Sequence, residues 1–114
     1  MGGIVVLAQK FRAAYLFLSG QISISGHEEP LMVGYARDIN CTWTGATTAA
    51  KMEWFLVGFD GTPAIETATN SNVVVLSPDP NNSGLDGDMF TCKVTLDDGS
   101  EFEETITLTV RGIR

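Results

Sequence analysis

Along most of the chain, apolar side chains recur at every second position in short runs. Ile22 and Ile24 alternate with serines, Ile39 and Cys41 with Asp38, Asn40 and Thr42, and Ile106, Leu108 and Val110 with Thr105, Thr107 and Thr109. Met52, Trp54 and Leu56 keep the same register. Side chains of a strand point to its two faces in turn, so this period predicts strands with one buried and one outward face. The first strand carries Ile22 and Ile24, is broken at Pro30 and resumes over 31–33. Further strands are expected over 35–43, through Met52 to Leu56, over about 88–96, and around Ile106 to Val110. A continuous apolar run at 73–76 suits another strand, and residues 64–69 suit a short one. Phe59-Asp60-Gly61-Thr62-Pro63 and Asp97-Asp98-Gly99-Ser100 are turn sequences, and the two prolines of Ser77-Pro78-Asp79-Pro80-Asn81-Asn82-Ser83-Gly84 cannot continue a sheet. No stretch sustains a helical period, so the chain is expected to be all-β.

Residues 1–20 differ from the rest, with no acids, two bases and apolar runs at 4–8 and 13–18. A secretory signal places its charge early, ahead of a longer apolar run, whereas here Lys10 and Arg12 precede only six apolar residues. Two readings stand for this segment: a signal-peptide remnant, or a linker or extra strand. No run approaches the length of a membrane span. Residues 21–112 make one domain of ordinary size, and a following domain of a longer ectodomain could begin at Arg111-Gly112-Ile113-Arg114.

Cys41 and Cys92 are the two cysteines. An even count, with no CxxC and no neighbouring histidine, argues against zinc and for a structural disulfide, hence for secretion or surface display. Two buried free thiols are the other reading. Trp54 lies thirteen residues after Cys41, and Asp86-Gly87-Asp88-Met89-Phe90-Thr91-Cys92 resembles the D-x-G/A-x-Y-x-C signature of immunoglobulin-superfamily domains. The resemblance covers roughly residues 21–110. It implies an immunoglobulin-like Greek-key sandwich of two antiparallel sheets, with Cys41 and Cys92 joined between strands B and F, Trp54 of strand C packed on the bridge, and Phe90 at the corner. Fewer than forty residues separate Trp54 from Cys92, which leaves little room for the extra hairpin of a variable domain and suggests an I-set or C2-like member of the adhesion or receptor-ectodomain type. Phe90 stands where the family has tyrosine, Leu85 directly precedes Asp86, and no arginine lies between Arg37 and Arg111 to meet Asp86 as the family's strand-D arginine does.

Charge and histidine count narrow the function further. A net charge of −7 with no basic stripe argues against nucleic acid. His27 is the sole histidine, and in His27-Glu28-Glu29 adjacent side chains of an extended segment point apart, so no metal or acid–base cluster is expected there. Asp97, Asp98, Glu101, Glu103 and Glu104 lack the spaced oxygens of a calcium loop and read as solvated charge that guards a sheet edge. Asn81-Asn82-Ser83 and Asn40-Cys41-Thr42 fit the N-glycosylation pattern, Asn40 being the poorer acceptor because it adjoins a cysteine in a strand.

What remains is a recognition surface. On the sheet of strands G, F and C, the outward positions are Glu53, Phe55 and Val57, then Thr91, Lys93 and Thr95, then Glu103, Thr105, Thr107 and Thr109. Phe55, Val57, Lys93 and Glu53 are the expected contact residues, an aromatic anchor in a polar rim, with Trp43 and Phe59 secondary. The expectation is a non-enzymatic, cofactor-free extracellular or cell-surface module that binds a protein, itself or another, through this face. It would meet a membrane only through other parts of a longer chain, and no small-molecule substrate is expected. The alternative is a spacer in a long ectodomain or an immunoglobulin-like decoration of a viral or bacterial surface protein.

Overall fold

A computed structural model describes residues 20–58 and 63–112. The readings made for residues 1–19, for the turn at 59–62 and for Phe59 as a contact lie outside the described residues.

Among the described residues, period-two sequence becomes nine strands. β1 (Gln21–Ser25), β3 (Ile39–Thr44) and β6 (Val73–Leu76) form one antiparallel sheet, in the order β1-β3-β6. β4 (Lys51–Leu56), β5 (Glu66–Thr69), β7 (Met89–Thr95) and β8 (Glu101–Thr107) form the second, in the order β5-β4-β7-β8. The chain crosses between sheets at β3–β4, β5–β6 and β6–β7, which makes the architecture a Greek-key sandwich. β2 (Leu31–Met32) resumes after Pro30 and pairs in parallel with β9 (Val110–Arg111). Residues 64–69 supply the neighbour of β4 in the four-stranded sheet through β5.

The core lies between the two sheets and follows the alternation. Ile39, Cys41 and Trp43 on β3, Met52 and Trp54 on β4, Phe90, Cys92 and Val94 on β7, and Ile106 on β8 are all buried. Cys41 and Cys92 are bonded, with Cα atoms 6.5 Å apart, and Cys92 faces Trp54 in the β4–β7 register. The indole Nε1 of Trp54 donates to the carbonyl of Val74 at 3.2 Å, so one side chain joins the second sheet to the first. Phe90 is buried without a hydroxyl to place. Asp86 accepts from the backbone N–H of Val110 at 2.8 Å.

Two expectations change, and another strand gains detail. Strand formation on β3 starts at Ile39, not at residue 35, because Arg37 reaches across to donate to the carbonyls of Gly26 (3.2 Å) and Glu29 (2.8 Å), and Asp38 accepts from the Ser77 hydroxyl. Arg37 and Asp38 are thus held by their side chains and Tyr35 by a turn bond to the Met32 carbonyl at 3.0 Å, not by a ladder. Trp43 is no surface contact: it shares the inward parity of Cys41, packs its ring 4.9 Å from that of Phe102 and donates Nε1–H to the Thr47 carbonyl. In the apolar run of β6 only Val74 and Leu76 face the core, while Val73 and Val75 are exposed. Beside Val73, the Ser71 hydroxyl accepts from its N–H at 3.2 Å and donates to its C=O at 3.0 Å.

The β7–β8 turn shows how a local sequence sets geometry. Gly99 takes the left-handed φ of 91° and donates to the Leu96 carbonyl, while Leu96 donates to the Ser100 carbonyl, closing a three-residue hairpin loop. Asp98 accepts from the Ser100 N–H at 2.8 Å, and that bond holds its carboxyl below the usual aspartate range. A group with a lowered folded-state pKa stabilises the fold fully above its unfolded value and loses that contribution as pH falls through the folded one. Asp98→Asn should therefore flatten the acid-side decline of melting temperature below about pH 4, the ordinary aspartate range, while changing the neutral-pH melting temperature little, as for surface substitutions in general. Melting curves of both proteins between acid and neutral pH check this.

Candidate interaction face

The outward surface of the four-stranded sheet is ordered into rows by its register. Phe55, Thr91 and Thr105 lie side by side across β4, β7 and β8, and Thr67, Glu53, Lys93 and Glu103 form the adjoining row across all four strands. Beyond the Phe55 row, the N–H of Val57 donates to the Met89 carbonyl at 2.9 Å, and Met89 stands opposite Thr107. Beyond the Glu53 row come Thr69, Lys51, Thr95 and Glu101.

This arrangement divides the face into two ends of different chemistry. At one end Val57 and Met89 are 45% and 43% exposed, with half-buried Phe55 two positions from Val57 on the same strand face. Diagonal neighbours on a sheet face are within reach of aromatic and long side chains, so these three make one apolar group. The Thr91 and Thr105 hydroxyls, 2.8 Å apart, bound it along the β7–β8 side. At the other end Lys93 pairs with Glu101 at 3.3 Å and Lys51 with Glu53 at 3.7 Å. Each pair has one well-exposed partner, and ion pairs open to solvent in this way add little to stability, so their effect is on the electrostatic pattern of the face.

The expected contact residues are therefore brought onto one face but not into one chemical role. Phe55 and Val57 belong to the apolar end. Lys93 lies in the charged end with its ammonium engaged, and the Glu53 side chain is only 14% exposed. Phe55 is more covered than the alternation implies, since a half-buried side chain presents only part of its ring. Sequence reading passed over Met89, although parity with buried Phe90 puts it outward. Ile65, 45% exposed, is a further apolar group beside the end of β4, where its N–H donates to the Trp54 carbonyl at 2.7 Å. No period could reveal it, because its neighbours depend on which strand β5 joins.

Elsewhere the described surface offers little converging chemistry. An open cleft of about 330 Å³ lies between β1 and β8, lined by Gly20, Gln21, Ile22, Phe102, Glu103 and Glu104. Among the described residues no three histidine, cysteine or acidic groups stand close enough to hold a metal ion. Glu28 accepts from the Gly26 N–H at 2.7 Å, and backbone hydrogen bonds, its own N–H first and Gly26 next, hold its carboxyl below the usual range. Asn81 and Asn40 are both exposed, the first in the connection before β7 and the second on the outer face of β3.

No family model and no curated protein sequence matches the chain. Solved structures do. A chain from the structure of T cell specificity and activation by the bacterial superantigen toxic shock syndrome toxin-1 superposes with a TM-score of 0.60 at 12% identity, over 81% of this chain and 99% of that one. The twitchin kinase region from C. elegans, Fn31-NL-kin-CRD-Ig26, superposes with a TM-score of 0.56 at 14% identity, over 81% of this chain and 16% of that one. At such identities the likeness is one of fold, and with the bonded Cys41 and Cys92 it gives an immunoglobulin-like sandwich.

Proposed function

We propose that this chain is an extracellular or cell-surface recognition module that binds a protein partner through the outward face of β5-β4-β7-β8. The observation that carries the reading is the apolar end of that face, where Phe55, Val57 and Met89 adjoin and a threonine pair and ion pairs flank them. Protein interfaces combine an apolar, aromatic- and methionine-bearing centre with a polar rim, and this face has that composition. The charged end supplies direction: Lys51 and Lys93 lie on β4 and β7, and Glu101 and Glu103 on β8, so a partner of wrong charge pattern meets repulsion. The disulfide supports a place in an oxidising compartment, since such bonds persist there. The division into three and four strands, with β5 following β4 closely, supports an I-set or C2-like assignment over a variable one. The role is binding and not catalysis: the sole histidine, His27, is far in sequence from this face and precedes β2.

The test is sedimentation equilibrium of the full chain over a wide concentration range, followed by the same measurement with Val57→Asp and Met89→Asp. Both side chains are exposed, so each variant should keep the melting temperature within a few degrees while weakening self-association at least tenfold. Wild-type protein that stays monomeric sends the same variants to a heterophilic binding assay. Association unaffected by either variant discards this face.

A further inference from the structure

The outer face of the three-stranded sheet is the reverse of the one just described. Its outward positions on the paired strands include Ser23, Ser25, Asn40, Thr42, Val73 and Val75, and none of these is charged although the chain carries a net charge of −7. Val73 and Val75 are 41% and 36% exposed. Asn40, the exposed first residue of Asn40-Cys41-Thr42, faces Val75 in the β3–β6 register, and Thr42, the third, faces Val73. Trp43 donates its N–H to the Asn72 carbonyl at 2.8 Å in continuation of that register, so the bonded pairs fall on Trp43, Cys41 and Ile39. Asn40 and Val75 are therefore a non-hydrogen-bonded pair, in which side chains approach most closely.

We infer that Asn40 carries an N-linked glycan whose first sugars lie over Val75 and Val73. In the transfer the Asn40 amide nitrogen bonds to the anomeric carbon of a lipid-pyrophosphate-linked oligosaccharide, losing a proton as the lipid pyrophosphate leaves. Its place in a strand beside Cys41 makes Asn40 a poorer acceptor once the domain has folded, so the transfer is assigned to the chain before folding; in the folded domain the side chain points away from the bridge. The glycan covers the apolar edge of one sheet and leaves the other free, so the two faces of the module are assigned opposite roles. This rests on the extracellular reading of the chain, not on the partner-binding face.

The experiment expresses the full chain behind a secretory leader in a eukaryotic cell and maps glycans on the secreted, disulfide-bonded protein by mass spectrometry. Wild type and Asn81→Gln should carry the modification at Asn40, and Asn40→Gln and Thr42→Val should each lose it. Secreted protein bare at Asn40, or modified at Asn81 alone, overturns the assignment and leaves the Val57 and Met89 test standing. The covering role has its own arm: Asn40→Gln should self-associate more strongly than wild type, and adding Val73→Thr and Val75→Thr should restore wild-type behaviour. An occupied Asn40 whose removal changes nothing in sedimentation overturns the covering role.

Discussion

Replacing Cys41 and Cys92 together by alanine should lower the unfolding free energy by about 4 kcal/mol, the loop-closure term for the fifty residues that the bond encloses. A domain of this size has on the order of 5–15 kcal/mol in all, so the bond is a large share of its stability. Both sulfur-bearing side chains are fully buried between the sheets, so the substitution also removes core volume, and the measured loss should not fall below this figure. Urea titration of the oxidised protein and of the double variant gives the difference directly. Reduction of wild type without mutation separates the chain-entropy part from the packing part. A loss under about 1 kcal/mol would mean that the unfolded chain is already compact enough for the bond to restrict little.

Trp54→Ala should be comparably severe, costing about 3–5 kcal/mol, because a large side chain with no exposure leaves a cavity that a rigid pair of sheets cannot close. Trp54→Phe separates two contributions. It keeps most of the ring volume but removes the donor to the Val74 carbonyl, and should cost about 1–2 kcal/mol, the worth of a buried hydrogen bond with some lost packing. Since Trp54 faces Cys92 in the register, the tryptophan and cysteine variants should not be additive, and a combined loss smaller than the sum is expected. Equilibrium unfolding of the three variants, singly and combined, measures the coupling.

The inward positions of β3, β4 and β7 were legible because burial on one face of a strand leaves a mark at every second residue. Ile39, Cys41, Met52 and Trp54 needed no other signal. The same rule places Trp43 inside, although its nearness to the turn after β3 suggests a surface role, and Met89 outside. What the pattern could not carry is pairing between strands. That β5 joins β4, that Asp86 finds the Val110 N–H, and that Arg37 replaces a ladder with side-chain bonds all depend on residues far apart in the chain. The candidate face shows the same limit: its residues were readable strand by strand, but its division into an apolar and a charged end exists only in the register.

β6 is the outermost strand of its sheet, and at Val73 the hydroxyl of Ser71 occupies both backbone groups that point away from β3. An outermost strand with free amides and carbonyls is a template on which a further chain can add, the route to fibres and exchanged strands. Here any incoming strand must first displace a hydroxyl that already serves as donor and acceptor, and it gains nothing at that position until it has done so. A four-residue strand has few such positions to lose. The serine thus works as a stopper against growth of the sheet at this edge of β6.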